Sequence, residues 1–169
     1  MEKEIYNETN YFGGGIFNND NILEYSIPTK ILNKYAKIPT KGSEKAAGSD
    51  LYAAIDRPVS IPPHSTVKIP TGLSFELPDG TFAGIFPRSG IATKRGLAPA
   101  NKVGVIDSDY RGDVIVALHN DTDEVQIVEP GERIAQMILL PYFNMSFVTK
   151  EELTETERSN SGFGDSGRF

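Results

Sequence analysis

The sequence has no cysteine, only 2 histidines and no long apolar run. Without cysteine the protein has no disulfide, no cysteine metal site and no thiol nucleophile, and its redox compartment cannot be inferred. Two histidines and no cysteine also argue against a zinc site, and we expect His64 and His119 to be packed or exposed rather than catalytic. No stretch approaches the roughly 20 apolar residues of a membrane span, and the first four residues lack the basic start of a signal peptide. We therefore expect an intracellular protein, cytoplasmic or nuclear, that is neither secreted nor bound to a membrane.

Positive charge is also scarce, because 17 basic side chains face 23 acidic ones and the net charge is -6. Stable binding of nucleic acid depends on clustered Lys and Arg, so this balance argues against it. A small anionic ligand stays possible, since a local pocket can be positive on an acidic protein.

The 169 residues leave room for one domain with two extensions. Residues 1–25 read as a flexible N-terminal extension, because the Asn- and Gly-rich stretch 10–21 has no sustained apolar period. Residues 26–142 form the expected domain. Residues 143–169 form a C-terminal arm that ends in a Gly- and Ser-rich tail, and we expect a single helical turn over residues 150–158.

The central region is patterned as an all-β domain, with 11 prolines and 16 glycines that suit many short strands and turns. Leu73, Phe75 and Leu77 alternate with polar residues and are predicted to face inward. A sandwich or jelly roll is the natural architecture. The predicted strands are 66–70, 73–77, 81–86, 114–118, 125–128 and 134–140.

One short helix is predicted over Ile91–Arg95, capped by Ser89 and ended by Gly96. Free N–H groups at its start, beside Arg88, would attract an anion. The alternative is a plain capped helix with a surface arginine. Lys94 and Arg95 are expected on the exposed face.

The stretch from Gly104 to Gly112 is the most informative part of the chain. Asp107 and Asp109 flank a turn beside Tyr110, and strand-like sequence follows, which suggests a β-hairpin. Such a turn can hold a carboxylate and a ring at a fixed separation for a small ligand. A charged hairpin tip with Tyr110 packed on it is the alternative.

Three further segments are weak signals when taken singly. Asp50 lies among small residues and can be a solvated turn acid, and Gln136 follows a turn and can satisfy a backbone group. The tail from Arg158 to Gly167 combines glycines, hydroxyls and a guanidinium that suit a phosphate, with Phe163 able to lie on a base. Gly-rich tails are otherwise simply flexible.

Taken in order, five segments resemble the homotrimeric deoxyuridine triphosphate nucleotidohydrolases (dUTPases). The resemblance runs from about residue 27 to 167. It implies a β jelly roll (a β-clip-like fold) in a homotrimer, with active sites at subunit interfaces and an exchanged C-terminal tail. The segments are Ala47-Gly-Ser-Asp-Leu51, Pro87-Arg-Ser-Gly90, Gly104-Val-Ile-Asp-Ser-Asp-Tyr-Arg-Gly112, Gly131-Glu-Arg-Ile-Ala-Gln136 and Gly162-Phe-Gly164.

The resemblance implies that the protein is a dUTP diphosphatase. It would hydrolyse dUTP to dUMP and pyrophosphate through attack of water on the α-phosphorus, limiting uracil in DNA and supplying dUMP for dTMP synthesis. Asp107 matches the carboxylate that activates the water, and Arg158 matches the tail arginine that reaches the γ-phosphate. Asp50 matches an acid that acts on Mg²⁺ through water, the metal being held mainly by the phosphates. Asp109 is expected to support the turn or an ion pair.

The implied substrate contacts follow the same motifs. Asn101, in a predicted hairpin, and the backbone after it would read the uracil edge, Tyr110 would exclude a 2′-hydroxyl, and Phe163 would stack on uracil. The substrate-binding set is Arg88, Ser89, Gly90, Asn101, Gly104, Val105, Ile106, Tyr110, Gln136, Phe163, Gly164 and Ser166.

The tail departs from the family pattern Arg-Gly-x-Gly-Gly-Phe-Gly-Ser-Thr-Gly. Ser159 and Ser161 replace glycines, Ser166 replaces threonine, and Asp165 replaces a serine. A carboxylate about 4 Å from a phosphate would cost roughly 4 kcal/mol at an effective dielectric near 20. We therefore expect weaker tail closure, and Asp165→Ser to raise kcat/KM.

Three alternatives stay open. A dCTP deaminase shares the fold, but it needs a glutamate in the base pocket, and none stands between Asn101 and Asp107. A catalytically weakened nucleotide-binding trimer is kept open by Asp165. A structural jelly roll, such as a coat protein, would have no affinity for nucleotide.

Overall fold

A computed structural model describes residues 16–17 and 23–156, with side chains from Glu24 onward, and the regular secondary structure of these residues is β-strand apart from one short helix. The prediction of an all-β fold is confirmed. The strands are β1 Ile16–Phe17, β2 Leu23–Glu24, β3 Thr29–Ile31, β4 Thr40–Lys41, β5 Ser49–Tyr52, β6 Val59–Ile61, β7 Thr66–Pro70, β8 Leu73–Phe75, β9 Thr81–Phe86, β10 Leu97–Pro99, β11 Gly104–Asp107, β12 Ile115–Asn120, β13 Gln126–Val128 and β14 Arg133–Pro141.

The largest sheet has five antiparallel strands in the order β11-β9-β14-β5-β4. The long strand β14 lies between β9 and β5, so it joins the segments before the helix to those around Asp50. Strand β11 is an edge of this sheet, and half of its backbone N–H and C=O groups therefore have no strand partner there.

A three-stranded sheet, β10-β12-β7, and three two-stranded pairs complete the described fold. The pairs are β3-β8, β13-β6 and β1-β2. The core lies between the sheets and contains Leu51, Ile61, Ile69, Leu73, Phe75, Leu97, Val116, Leu118, Val128 and Ile134.

Leu73 and Phe75 of β8 and Leu77 after it are all buried, so the prediction that these three face inward is confirmed. Ser74 between them is buried as well, because its hydroxyl donates to the Arg111 carbonyl at 2.8 Å. The two predicted turns are also present: Gly80 and Gly131 take left-handed φ values of 76° and 72°.

The prediction of a β-hairpin over residues 104–118 is wrong. Strand β11 pairs with β9 in the five-stranded sheet, whereas β12 pairs with β7 and β10 in the other sheet. The same holds for the predicted hairpin at Asn101, since β10 and β11 lie in different sheets. Both turns therefore carry the chain from one sheet to the other. Turn residues fix where a chain reverses, but distant apolar strands decide its partners.

The helix α1 spans Ser89–Arg95 and ends at Gly96, which takes the left-handed conformation with φ 60° as predicted. Its N-cap is Arg88 rather than Ser89, and no side chain caps it. Lys94 is exposed, but the prediction for Arg95 is wrong because that side chain is bound to Glu132, Gln126 and the Ile127 carbonyl. Residues 150–156, the described part of the predicted helical turn, are not helical.

Candidate functional site

Four polar side chains meet where β5, β9 and β14 lie side by side, and we call them the Asp50 cluster: Asp50, Arg88, Arg133 and Gln136. Asp50 is 9% exposed, and its two carboxylate oxygens accept from different guanidinium groups. Arg88 Nε donates to Oδ1 at 2.6 Å, and Arg133 Nη1 donates to Oδ2 at 3.1 Å. A carboxylate this buried requires such partners, so Asp50 is not the solvated turn acid that the alternative interpretation proposed.

A β-bulge in β14 brings Arg133 into this cluster. Gln136 pairs with Asp50, and Arg133 pairs with Tyr52. Between these two pairs β14 contains one residue more than β5, and the register shifts between Arg133 and Ala135. In a regular strand, residues three apart point to opposite faces. The extra residue of a bulge turns both side chains to the same face.

Gln136 holds the segment that enters α1. Its Nε2 donates to the Pro87 carbonyl at 2.9 Å. Gly48 makes room for this amide, because a Cβ there would lie 2.6 Å from Gln136 Oε1. Gln136 thus satisfies a backbone group, as the alternative interpretation had it, while its second amide N–H stays available to a ligand.

Arg88 points inward, toward Asp50 and the Arg133 carbonyl, the second at 3.3 Å from Nη1. Ser89 and Gly90 are exposed at the start of α1, and a Cβ on Gly90 would meet nothing within 4 Å. The predicted anion-binding segment is therefore accessible at Ser89 and Gly90.

A second group of predicted residues lies along β11 and its flanking turns, and we call it the β11 edge: Asn101 and residues 104–110. Lys102 takes a left-handed φ of 64° in the turn before β11. The Asn101 amide lies against Gly104, where a Cβ would be 3.3 Å from Nδ2. Val105 and Asp107 are exposed, and Ile106 is half-buried.

Asp107 ends β11 with an exposed carboxylate. Within residues 23–156 this carboxylate has no hydrogen-bond or ion-pair partner, and only its backbone carbonyl accepts, from Tyr110 N at 3.2 Å. Tyr110 is 44% exposed, and its hydroxyl donates to the Asp113 carbonyl at 3.1 Å. Asp109 is exposed and has no side-chain partner in the same range, so of the two roles expected of it, support of the turn or an ion pair, the ion pair is not formed there.

One chain does not bring the two groups together. Asp107 on β11 pairs with Phe82 on β9. Asp50 lies on β5, on the far side of β14, and is level with Phe86 of β9. Four residues along a strand and three steps between strands place these two residues on the order of 20 Å apart. The two carboxylates of one chain therefore cannot contact the same phosphate.

The described residues offer no direct metal site. No group of three or more His, Asp or Glu side chains there could hold an ion. Each Asp50 oxygen already accepts one hydrogen bond, but a carboxylate oxygen can accept a second, for example from a metal-bound water. The donor set thus fits Mg²⁺ that arrives with phosphate ligands and keeps its waters.

The segment after β14 exposes large apolar side chains. Phe143, Met145 and Phe147 are 92%, 76% and 88% exposed, and they alternate with Asn144 and Ser146. This is the pattern of a strand with one apolar face, yet residues 142–156 pair with no strand of the described chain. Such surface marks an interaction site.

A cavity of about 810 Å³ lies near the start of this segment, and no member of the Asp50 cluster or the β11 edge lines it. Leu139, Leu140 and Pro141 form one wall, and Ile27 and Tyr25 line it from the N-terminal side. Burial raises the pKa of the Tyr25 phenol above its ordinary value.

Of the remaining predicted residues, some lie in the described part of the chain and the others lie after residue 156. His64 is exposed beside Asp123, and His119 is half-buried with Nδ1 3.0 Å from Thr66 Oγ1, as predicted. Arg158, Phe163, Gly164 and Ser166 lie outside the described residues, as does Asp165. No helix in residues 16–17 and 23–156 is long and apolar enough to cross a membrane.

Arg133 and Ser74 are the residues that the sequence analysis did not assign. The only signal for Arg133 was its place inside the segment Gly131–Gln136, because the bulge that aims it at Asp50 has no sequence mark. Ser74 was not assigned, because an alternating strand pattern places a polar residue between Leu73 and Phe75 on the outer face.

Comparison with known proteins gives consistent results. A model of the dUTPase family matches residues 34–167. The deoxyuridine 5'-triphosphate nucleotidohydrolase of Desulfitobacterium hafniense is 50% identical over 136 residues, which covers 80% of this chain and 90% of that one. The enzyme of the same name from Aeromonas salmonicida is 41% identical over 132 residues, covering 78% and 87%.

Solved structures agree in fold. The Staphylococcus bacteriophage 80alpha dUTPase with dUpNHpp has a TM-score of 0.77 at 26% identity, covering 85% of this chain and 99% of that one. A mutant dUTPase from phage phi11 of S. aureus, described with a structural Mg(II) ion, has a TM-score of 0.70 at 19% identity, covering 78% and 100%. The predicted jelly-roll-like fold is thereby confirmed.

Proposed function

This chain belongs to the dUTPase family, and we propose that it hydrolyses dUTP to dUMP and pyrophosphate. The reaction would limit uracil incorporation into DNA and supply dUMP for dTMP synthesis. The observation that carries the proposal is the Asp107 carboxylate, which stands exposed and unpaired in the described chain, at the end of an open strand edge and three residues before Tyr110.

Asp107 acts as the general base. A carboxylate without a guanidinium or lysine partner is free to accept a hydrogen bond from water and take its proton. The water oxygen then bonds to the α-phosphorus, the bond from that phosphorus to the bridging oxygen breaks, and pyrophosphate leaves with the electron pair. Asp50 is less suited to this role, because each of its oxygens already accepts a hydrogen bond from an arginine.

The β11 edge selects the base and the sugar. An edge strand presents backbone donors and acceptors in a fixed row, and the uracil edge can pair with residues 104–106 as another strand would. The Asn101 amide adds one donor and one acceptor. Cytosine would bring a donor where uracil has an acceptor, and Tyr110 leaves no room for a 2′-hydroxyl.

The Asp50 cluster and the start of α1 receive the triphosphate. The N–H groups of Ser89 and Gly90 and the second amide N–H of Gln136 are available donors, and Arg88 adds positive charge. Mg²⁺ carried by the phosphates would neutralise charge on the leaving pyrophosphate. Asp50 would hold that ion through water, while Arg88 and Arg133 keep the carboxylate in place.

We further propose that the complete site forms between copies of the chain in a homotrimer. Asp107 and Asp50 of one chain lie too far apart to serve one substrate, so the β11 edge of one copy needs the Asp50 cluster of another. The exposed alternating segment from Phe143 to Phe147 supports such an assembly, because its apolar face requires cover. The tail beyond it, with Arg158, Phe163, Gly164 and Ser166, closes the site over the nucleotide.

Pyrophosphate release with Mg²⁺ tests the proposal, using dUTP, dCTP, dTTP and UTP with the wild type and Asp107→Asn. We expect hydrolysis of dUTP alone, and a loss of about 10²-fold or more in kcat in the variant. The matched control is Asp109→Asn, which changes the neighbouring exposed carboxylate and should leave kcat near wild type. Ammonia release from dCTP, or equal loss in both variants, would contradict the assignment.

A further inference from the structure

Gly112 is one of the described glycines at which a side chain would have no room. A Cβ at Gly112 would lie 2.3 Å from the Tyr110 hydroxyl oxygen and 2.6 Å from Cζ of the same ring. No positive φ requires glycine here, in contrast to Gly80, Gly96 and Gly131. The position therefore needs glycine for space, and the group that takes the space is the Tyr110 side chain.

The ring occupies this space because it folds back along its own turn. Its hydroxyl donates to the Asp113 carbonyl at 3.1 Å, so the side chain passes directly over Gly112. The ring remains 44% exposed and has solvent on its other side. It can move outward when something displaces it.

The backbone under the ring cannot move as easily. Ser74, which is buried, donates from its hydroxyl to the Arg111 carbonyl at 2.8 Å. Val114 N donates to the Leu73 carbonyl at 2.9 Å, and Thr71 N donates to the Val114 carbonyl at 3.1 Å. The turn is thus tied to the chain on both sides of Gly112, and a new side chain at this position would displace the ring instead.

We propose that Gly112 is a positioning residue for sugar selection. Because it has no side chain, the Tyr110 ring can lie against the turn, in the position that excludes a ribose. The inference rests on the proposed function, because it takes Tyr110 as the group under the sugar. Gly112 itself touches no substrate and acts only through the ring.

The test is the ratio of kcat/KM for dUTP to kcat/KM for UTP in wild type, Gly112→Ala, Tyr110→Ala and the double variant. We expect Gly112→Ala to lower the ratio by about tenfold or more. In the Tyr110→Ala background the same change should have no further effect, since the ring through which it acts is gone. Gly42→Ala is the matched control, because a Cβ at Gly42 meets nothing within 4 Å and φ is not positive.

A kcat/KM ratio in Gly112→Ala equal to that of the wild type would overturn the inference. So would a Gly112→Ala change that lowers the ratio by the same factor with Tyr110 present and in the Tyr110→Ala background. If Gly112→Ala does not fold, adding Tyr110→Ala should restore folding, and failure to restore it would also overturn the inference. Failure of the proposed function shows separately, as a wild type that does not hydrolyse dUTP.

Discussion

At the scale of single residues, the sequence indicated which side chains could bind or react with a ligand, but not which residues those side chains contact. Asp107 and Tyr110 could be singled out because a carboxylate and a ring share one turn, and the structure exposes both. The pairing of Asp50 with Arg133 could not, because they are 83 positions apart and meet only through a bulge in β14. Alternation along a strand gives the face of a residue only while the register is regular.

Gly48 offers a test of how Gln136 contributes. In Gly48→Ala the new Cβ would lie 2.6 Å from Gln136 Oε1, so the amide must leave the Pro87 carbonyl. Loss of this intramolecular hydrogen bond should lower the free energy of unfolding by about 0.5–1.5 kcal/mol in urea denaturation, and displacement of the amide should raise the KM for dUTP. Steady-state kinetics beside the Gly42→Ala control would check this. Wild-type KM in Gly48→Ala would show that Gln136 does not need its present position.

At the scale of elements, the six strands predicted with bounds are present within two residues of those bounds, whereas β1 to β6, β10 and the pairing of the strands were not predicted. Thr66–Pro70 and Thr81–Phe86 have the predicted bounds, since alternation and flanking turns mark them in the sequence. The two supposed hairpins failed because nothing local says that β11 joins β9 across the domain. Helix α1 was predicted with its C-terminal glycine, but its cap was shifted by one residue because Arg88 caps it without a side-chain hydrogen bond.

Arg95 holds α1 against β13 and the turn that follows it. Its guanidinium binds Glu132, Gln126 and the Ile127 carbonyl, and Glu132 in turn accepts from Glu129 N at 2.9 Å. Arg95→Met should lower the free energy of unfolding by about 1–3 kcal/mol, because partly buried charged hydrogen bonds lose their donor. It should also raise the KM for dUTP, since α1 carries Arg88.

Urea denaturation and steady-state kinetics measure both effects. Lys94→Met is the matched control, because Lys94 is exposed on the same helix and should change stability by less than about 0.5 kcal/mol. Equal stability losses in the two variants would show that Arg95 does not fasten the helix.

At the scale of the whole molecule, the described chain holds two separate groups of predicted site residues and an exposed apolar segment. Composition alone excludes disulfides and argues against general nucleic-acid binding, but no local sequence pattern tells whether two candidate residues belong to the same site. That separation follows from the strand order β11-β9-β14-β5, which is known only once the sheet is assembled.

The arm should hold the assembly together. Phe143→Ser with Phe147→Ser removes two members of the exposed apolar face, and we expect the trimer to dissociate toward monomer in light scattering as the buried area falls. Asn144→Ser with Ser146→Ala changes the opposite face of the same segment and should leave the trimer intact. A stable trimer in the first variant would remove the arm from the interface.

Subunit mixing is the most direct test of a site shared between chains. Asp107→Asn and Asp50→Asn are isosteric, and each should be nearly inactive as a homotrimer. If both are unfolded, mixed in equal amounts and refolded together, one site in about four has an intact β11 edge from one chain and an intact Asp50 cluster from another, so about a quarter of wild-type pyrophosphate release should return. A mixture that stays as inactive as its parents, although light scattering shows mixed trimers, would contradict the shared site.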